Sequence, residues 1–141
     1  MESRLHELLK EAALTELEKE GYYLYVEPSD PPSWRINWSL YRPDVAGTLT
    51  NEAEFRFVLV ECETNPNIKR IKRKISKIRK RLTFQNRLNE TYLFRLLLVI
   101  PAGMLNRVNY SDIRLRWEIW IVNYRGEIIH KIPSKECASA S

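Results

Sequence analysis

The stretch that most constrains the fold of this 141-residue chain is a short apolar run that ends in acids. Residues 57–60 are apolar and mostly β-branched or aromatic, which predicts a strand buried on both faces of a sheet. Successive side chains of a strand alternate between its two faces. Glu61 and Glu63 are therefore expected to point to one face and Cys62 to the other, so that the strand presents carboxylates at its end.

A strongly basic amphipathic helix is predicted directly after these acids. Asn65 is suited to the N-cap and Pro66 to the first helical position, where a missing N–H costs nothing. The spacing of three and four residues predicts an apolar stripe at Ile68, Ile71, Ile75, Ile78 and Leu82. Residues 67–82 contain nine basic residues and no acid: Lys69, Arg70, Lys72, Arg73, Lys74, Lys77, Arg79, Lys80 and Arg81.

The charge of this helix indicates a polyanionic partner. The whole chain carries only +5, so its basic charge is concentrated on one element, as in nucleic-acid-binding proteins. A solvated face chosen for solubility is the alternative, but such faces usually mix both signs of charge. A module that docks an acidic protein partner is a third interpretation. The residues expected to contact phosphates of DNA are Lys69, Arg70, Arg73, Lys74, Lys77, Lys80 and Arg81.

The remaining pattern predicts a mixed α/β fold, with a central mixed β-sheet flanked by helices. A helix over residues 3–20, capped by Ser3 and ended by Gly21, has an inward stripe of Leu5, Leu8, Leu9, Ala12, Ala13 and Leu17. Strands are predicted at residues 22–26, 34–40, 44–49, 92–100, 116–122 and 127–132, the last pair joined by a turn at 123–126. We expect one domain over residues 1–133 and a flexible tail over 134–141.

The composition excludes several other classes of protein. No apolar stretch is long enough to span a bilayer, the N-terminus lacks a signal-peptide core, and Cys62 and Cys137 are expected to be free thiols. The sequence therefore predicts an intracellular, cytoplasmic protein without membrane association. Two distant histidines, His6 and His130, do not make a zinc site, and most of the four tryptophans are expected to be buried.

Carboxylates at two strand ends predict a site for a divalent cation. Asp44, in Arg42-Pro43-Asp44, begins the extended piece that precedes the strand of Glu61 and Glu63. Three such carboxylates would offer the oxygen ligands that Mg²⁺ or Mn²⁺ prefers, and the ion would activate a water for attack on phosphorus. Simple solvent exposure of acids at a strand end is the alternative.

This order of elements resembles the PD-(D/E)xK nuclease superfamily, in particular its small members similar to archaeal Holliday-junction resolvases, over roughly residues 3–100. Pro43-Asp44 matches the PD element and Glu61 the second acid, while Glu7 or Glu11 is placed where some members carry an extra acid. The resemblance implies a restriction-endonuclease-like core and metal-dependent hydrolysis of DNA, with Asp44, Glu61 and Glu63 holding Mg²⁺ or Mn²⁺. It also favours a homodimer, because small nucleases of this kind often dimerise to cut two strands.

The sequence departs from the superfamily pattern at one position. The motif lysine that helps to activate the attacking water is replaced by Glu63. Some members supply this lysine from the following helix, where Lys72 or Lys69 would serve; Lys72 is preferred because it flanks the apolar stripe. If neither reaches the acids, the chain is a non-catalytic nucleic-acid-binding or regulatory protein on a degenerate fold of the same type.

Overall fold

The computed structural model describes residues 3–26, 43–50, 55–64, 69–70, 73, 76, 92–104 and 117–134. The chain order is α1 (Arg4–Lys19), β1 (Tyr23–Val26), β2 (Val45–Thr50), β3 (Phe55–Cys62), β4 (Tyr92–Pro101), a short 3-10 helix (Ala102–Met104), β5 (Glu118–Val122) and β6 (Ile128–Ile132). The six strands form one sheet in which they lie side by side in chain order. The predicted mixed α/β fold is thereby confirmed.

The directions of the strands determine which strand ends lie next to one another. Strands β1, β2 and β3 are antiparallel neighbours, β3, β4 and β5 run parallel, and β6 returns antiparallel to β5. Val45, the first residue of β2, pairs with Val60 near the end of β3, and Cys62 pairs with Val99 of β4. The start of β2 and the ends of β3 and β4 therefore lie at one edge of the sheet.

Helix α1 covers one face of this sheet. The Ser3 hydroxyl accepts a hydrogen bond from the His6 N–H at 3.1 Å, which caps the helix as predicted, and Gly21 (φ 97°) adopts the left-handed conformation just beyond its end. The inward side chains Leu9, Ala13 and Leu17 are fully buried in the main core cluster. Within the predicted stripe Ala12 is also buried, whereas Leu5 and Leu8 are only half-buried.

The central strands are buried on both faces, as the apolar run of β3 predicts. Val58, Leu59 and Val60 have at most 2% of their surface exposed. In strand β5 the side chains of Ile119, Trp120, Ile121 and Val122 are also all buried, so both faces of this strand are covered. Strand β4 continues through Pro101, one residue further than expected, and ends there.

A charged network joins the far end of α1 to the sheet. The Arg95 guanidinium hydrogen-bonds to both carboxylate oxygens of Glu118 and to Glu20 at 3.0 Å. Burial alone would lower the pKa of Arg95, but its hydrogen bonds and charge pairing with Glu118 raise the pKa above its ordinary value. Arg95 and Lys131 both lie over the Trp120 ring, 5.5 and 4.8 Å from its centroid.

Several predictions concern residues that the structure does not describe. These are the strand at 34–40, the greater part of the basic helix, Cys137 and all but the first residue of the tail. Within the basic segment Lys69, Arg70, Arg73 and Ser76 are helical and exposed, in agreement with the predicted helix. The domain bounds stay a prediction. Among the described helices, none is long and apolar enough to cross a membrane.

Candidate functional site

Asp44 is fixed to the end of β3 by its backbone and its side chain. Its N–H donates to the Val60 carbonyl at 3.1 Å, which continues the β2–β3 pairing by one residue. Its Oδ2 accepts a hydrogen bond from the Cys62 N–H at 2.8 Å. A hydrogen bond to a carboxylate is a strong one and holds the side chain in one orientation. The Pro43-Asp44 and Glu61-Cys62-Glu63 segments are thus brought together, as the sequence predicts.

Glu61 and Glu63 are buried carboxylates, each with only 3% of its surface exposed. The Glu63 N–H donates to the Val99 carbonyl at 3.0 Å, which extends the parallel pairing of β3 and β4 beyond the last residue of β3. The Cys62 side chain packs in the apolar cluster beneath α1. Glu61 therefore projects from the opposite face of β3. Both acids lie at the carboxyl end of parallel strands, where α/β sheets commonly bind their ligands.

On α1, the side chain of His6 reaches Asp44. Its Nε2 lies 3.4 Å from Asp44 Oδ1, and both side chains are 18% exposed. Glu7 and Glu11, the predicted candidates for an extra acid, are exposed, and Glu11 lines a separate cleft between α1 and the β5–β6 hairpin. Their helical phase explains the difference, because Glu7 lies about 100° around the axis from His6. The helical position of His6 is the signal that could have identified it.

A cleft of about 310 Å³ opens over Asp44 and Glu63. Four segments form it: the start of α1, the start of β2, the end of β3 and the basic helix. Its lining residues within the described part of the chain are Ser3, His6, Asp44, Cys62, Glu63, Thr64 and Arg70. Arg70 brings a cation of the basic helix to the acids, which agrees with the predicted proximity of the two charged elements. Lys69 is exposed and is not in the lining, and Lys72 lies outside the described residues.

The charged side chains near the Cys62 thiol affect its pKa. Burial is the largest cause that raises the pKa of the Cys62 thiol, and the negative charges of Asp44, Glu61 and Glu63 raise it further. The positive charge of Lys10 lowers the pKa of the same thiol. Three carboxylates and one ammonium therefore act on one buried atom. Lys10 is 8% exposed and was missed at the sequence level, because it falls outside the apolar stripe of α1.

The donor chemistry of this site fits a hard divalent cation. Mg²⁺ is usually held by one or two carboxylates, because water and substrate phosphates complete its shell. Among the described residues, no three His, Cys, Asp or Glu side chains form a group that could hold a metal ion. The set of three ligands predicted from Asp44, Glu61 and Glu63 is thus not preassembled, and their role as ligands stays a prediction.

Comparison with known proteins supports the fold. No protein-family model matches the sequence, and no curated protein matches it. An fdxN element excision controlling factor protein from Anabaena variabilis is similar in structure, with a TM-score of 0.52 and 12% identity over 89% of this chain and 98% of that one. An XisH family protein from Nostoc punctiforme is also similar, with a TM-score of 0.50 and 15% identity over 90% of this chain and 97% of that one. At these identities the likeness concerns the fold alone.

Proposed function

We propose that this chain is a metal-dependent nuclease that hydrolyses phosphodiester bonds of DNA. The observation that carries the proposal is the hydrogen bond of Asp44 to the end of β3, beside buried Glu63, in a cleft lined by Arg70. Pro43-Asp44 and Glu61, the residues that resemble the PD-(D/E)xK pattern, lie at the same edge of the sheet, which supports the proposal. The structural likeness to the XisH family protein supports the architecture on which the proposal stands.

Each part of the site has a distinct role in the proposed reaction. Asp44 and Glu61, with Glu63, would hold Mg²⁺ or Mn²⁺, which when bound supplies Lewis acidity for the phosphoryl group and a water of lowered pKa. The Cys62 N–H keeps the Asp44 carboxylate in place for this task. Arg70 extends from the basic helix to the cleft and would bind a phosphate oxygen of the DNA strand.

The basic helix would provide the larger part of the DNA affinity. Lys69, Arg70 and Arg73 are exposed, so their charges are accessible to a polyanion. Contacts of this kind release counterions from DNA and depend little on sequence. Acids and cations side by side suit a phosphodiester substrate, since the cations hold the flanking phosphates while the acids hold the metal. A homodimer stays a prediction.

Glu63 favours one alternative function, that of a non-catalytic DNA-binding or regulatory protein. It stands where the superfamily pattern has its lysine. In addition, the two Asp44 oxygens already contact the Cys62 N–H and the His6 ring. Such a protein would bind DNA through the basic helix and would leave it intact.

A cleavage assay separates the two functions. Plasmid, linear and branched DNA are incubated with the protein in Mg²⁺, Mn²⁺ or EDTA, beside the variant Glu61→Gln. We expect cleavage that requires the cation and is lost in the variant. A matched melting experiment should show that Mn²⁺ raises Tm, because a ligand that binds only the folded state stabilises it by RT ln(1 + [L]/Kd). DNA binding without cleavage and without a metal-dependent Tm shift would establish the alternative.

A further inference from the structure

Lys10 is a buried lysine in the middle of α1. Only 8% of its surface is exposed, although lysine is rarely buried unless an opposite charge accompanies it. Burial of an ammonium group away from such partners costs a large amount of free energy. The other buried charged side chains of the described part of the chain are Glu61 and Glu63. The burial of Lys10 therefore calls for a partner, and the buried acids at the end of β3 are of the right charge.

The position of Lys10 on the helix directs it towards those acids. It lies four residues after His6, which contacts Asp44, and residues four apart share one face of a helix. Its neighbours in the helical phase, Leu9 and Ala13, are fully buried against the sheet. Lys10 therefore lies on the side of α1 that faces the sheet, beside His6 in the helical phase. Its positive charge acts on the Cys62 thiol together with the three carboxylates.

We propose that Lys10 supplies the ammonium group of the acidic site, in place of the motif lysine whose position Glu63 occupies. Its charge compensates the buried carboxylates. This assignment rests on the proposed function for one further role, in which the ammonium group faces the attacking water or a phosphate oxygen. Lys10 is buried beside the sheet, whereas Lys69 of the basic helix is exposed.

The first test measures charge compensation and does not depend on activity. Tm is determined for Lys10→Met, for Glu61→Gln and Glu63→Gln, and for each double variant. We expect the Tm loss caused by Lys10→Met to shrink by about half or more when Glu61 or Glu63 is neutral, because residues that interact are not additive. Lys10→Arg keeps the positive charge and should lower Tm much less than Lys10→Met does. The matched control is Lys19→Met, a loss of charge at an exposed position of the same helix, whose effect should be additive.

The second test relocates the charge. Under single-turnover conditions, Lys10→Met should slow DNA cleavage by about 100-fold, the usual scale for a positioned proton-transfer group. Lys10→Met combined with Glu63→Lys should cleave at least about 10-fold faster than Lys10→Met alone, because the ammonium returns through the motif position. A lysine that only packs α1 on the sheet would give no such recovery.

The outcomes keep this proposal apart from the proposed function. Additive Tm losses with both glutamine variants would overturn the role of Lys10, whatever the parent protein does to DNA. Coupled Tm losses with an inactive parent would uphold the compensating charge and reject the nuclease. If Lys10→Met does not fold by itself, recovery of folding in Lys10→Met/Glu63→Gln supports the pairing, and failure to recover with either glutamine variant counts against it.

Discussion

Replacement of Asp44 distinguishes its structural contribution from its proposed role as a metal ligand. Asp44 Oδ2 accepts the Cys62 N–H at 2.8 Å in a part of the structure that is largely shielded from water. Asp44→Ala removes this acceptor and leaves a shielded backbone donor, whereas Asp44→Asn keeps a carbonyl oxygen in the same place and removes only the charge. The two variants should therefore be equally deficient in metal binding and different in stability.

The size of the stability loss in Asp44→Ala follows from the cost of leaving the Cys62 N–H without an acceptor. Leaving a shielded N–H without its acceptor costs about 1–3 kcal/mol. The Asp44 side chain is 18% exposed, so water can replace part of the lost hydrogen bond and the lower half of that range applies. For a chain of this length about 1–2 kcal/mol corresponds to a Tm decrease of roughly 3–8 °C. We expect a decrease of this size in Asp44→Ala and a much smaller one in Asp44→Asn.

Urea unfolding of the parent and both variants measures the free energies, and calorimetric titration with Mn²⁺ measures the affinity. Both variants should lose the Mn²⁺ response and the cleavage of DNA. Their affinity for DNA in EDTA should equal or exceed that of the parent, because removal of a carboxylate lessens the repulsion of phosphate. Equal stability of the two variants would refute the structural role of the Asp44 hydrogen bond. Retained cleavage by either would exclude this site as the catalytic one.

Three further outcomes are expected. If about five cations meet phosphates, log K for DNA should fall against log salt with a slope near −4 to −5. The double variant Lys69→Glu/Arg73→Glu should then make that slope less steep by up to about 2, as measured by filter binding at several salt concentrations. Two charge reversals on another exposed surface should leave the slope unchanged. The raised pKa of the Cys62 thiol implies that the folded state keeps its proton while the unfolded chain loses it near the ordinary value of 9.0. The Cys62 contribution to stability is therefore fully present below that pH and is lost as the pH rises above it. In urea unfolding, the free energy of unfolding of Cys62→Ala should fall less over this rise in pH than that of the parent. Arg95→Met should lower the free energy of unfolding by about 2 kcal/mol, because Glu118 and Glu20 lose a charged hydrogen-bond donor; an unchanged urea midpoint would contradict this.

The elements that sequence patterns predicted well are those in which local signals and burial agree. Ser3 and Gly21 bound α1 because a cap and a left-handed residue are local features of the backbone. The apolar run of β3 lies in the middle of the sheet between β2 and β4, and both of its faces are buried. The proximity of Asp44 to Glu61 and Glu63 followed from the motif, and the register of β2 with β3 provides its physical cause.

The site residues that the sequence did not reveal are those whose role depends on the packing of α1. The sequence pattern led us to consider His6 only as a zinc ligand and did not single out Lys10. Both lie at the border of the apolar stripe, so a small rotation of the helix decides whether they meet solvent or the sheet. Periodicity gives the face of a helix only to that precision. The acids Glu7 and Glu11 illustrate the same limit, since they turn towards solvent.

A carboxylate at position 63 changes the charge balance of the whole site. Two buried glutamates and Asp44 repel one another when ionised, and a nearby positive charge stabilises such a cluster. A lysine at position 63 would place that charge on β3 itself. With Glu63 the compensation has to come from another element, and Lys10 on α1, Arg70 on the basic helix and a divalent cation are the sources that the described geometry offers. These sources compete, because a cation bound by the acids weakens their attraction for Lys10. If the proposed metal binds, it would therefore weaken the proposed pairing of Lys10 with the acids.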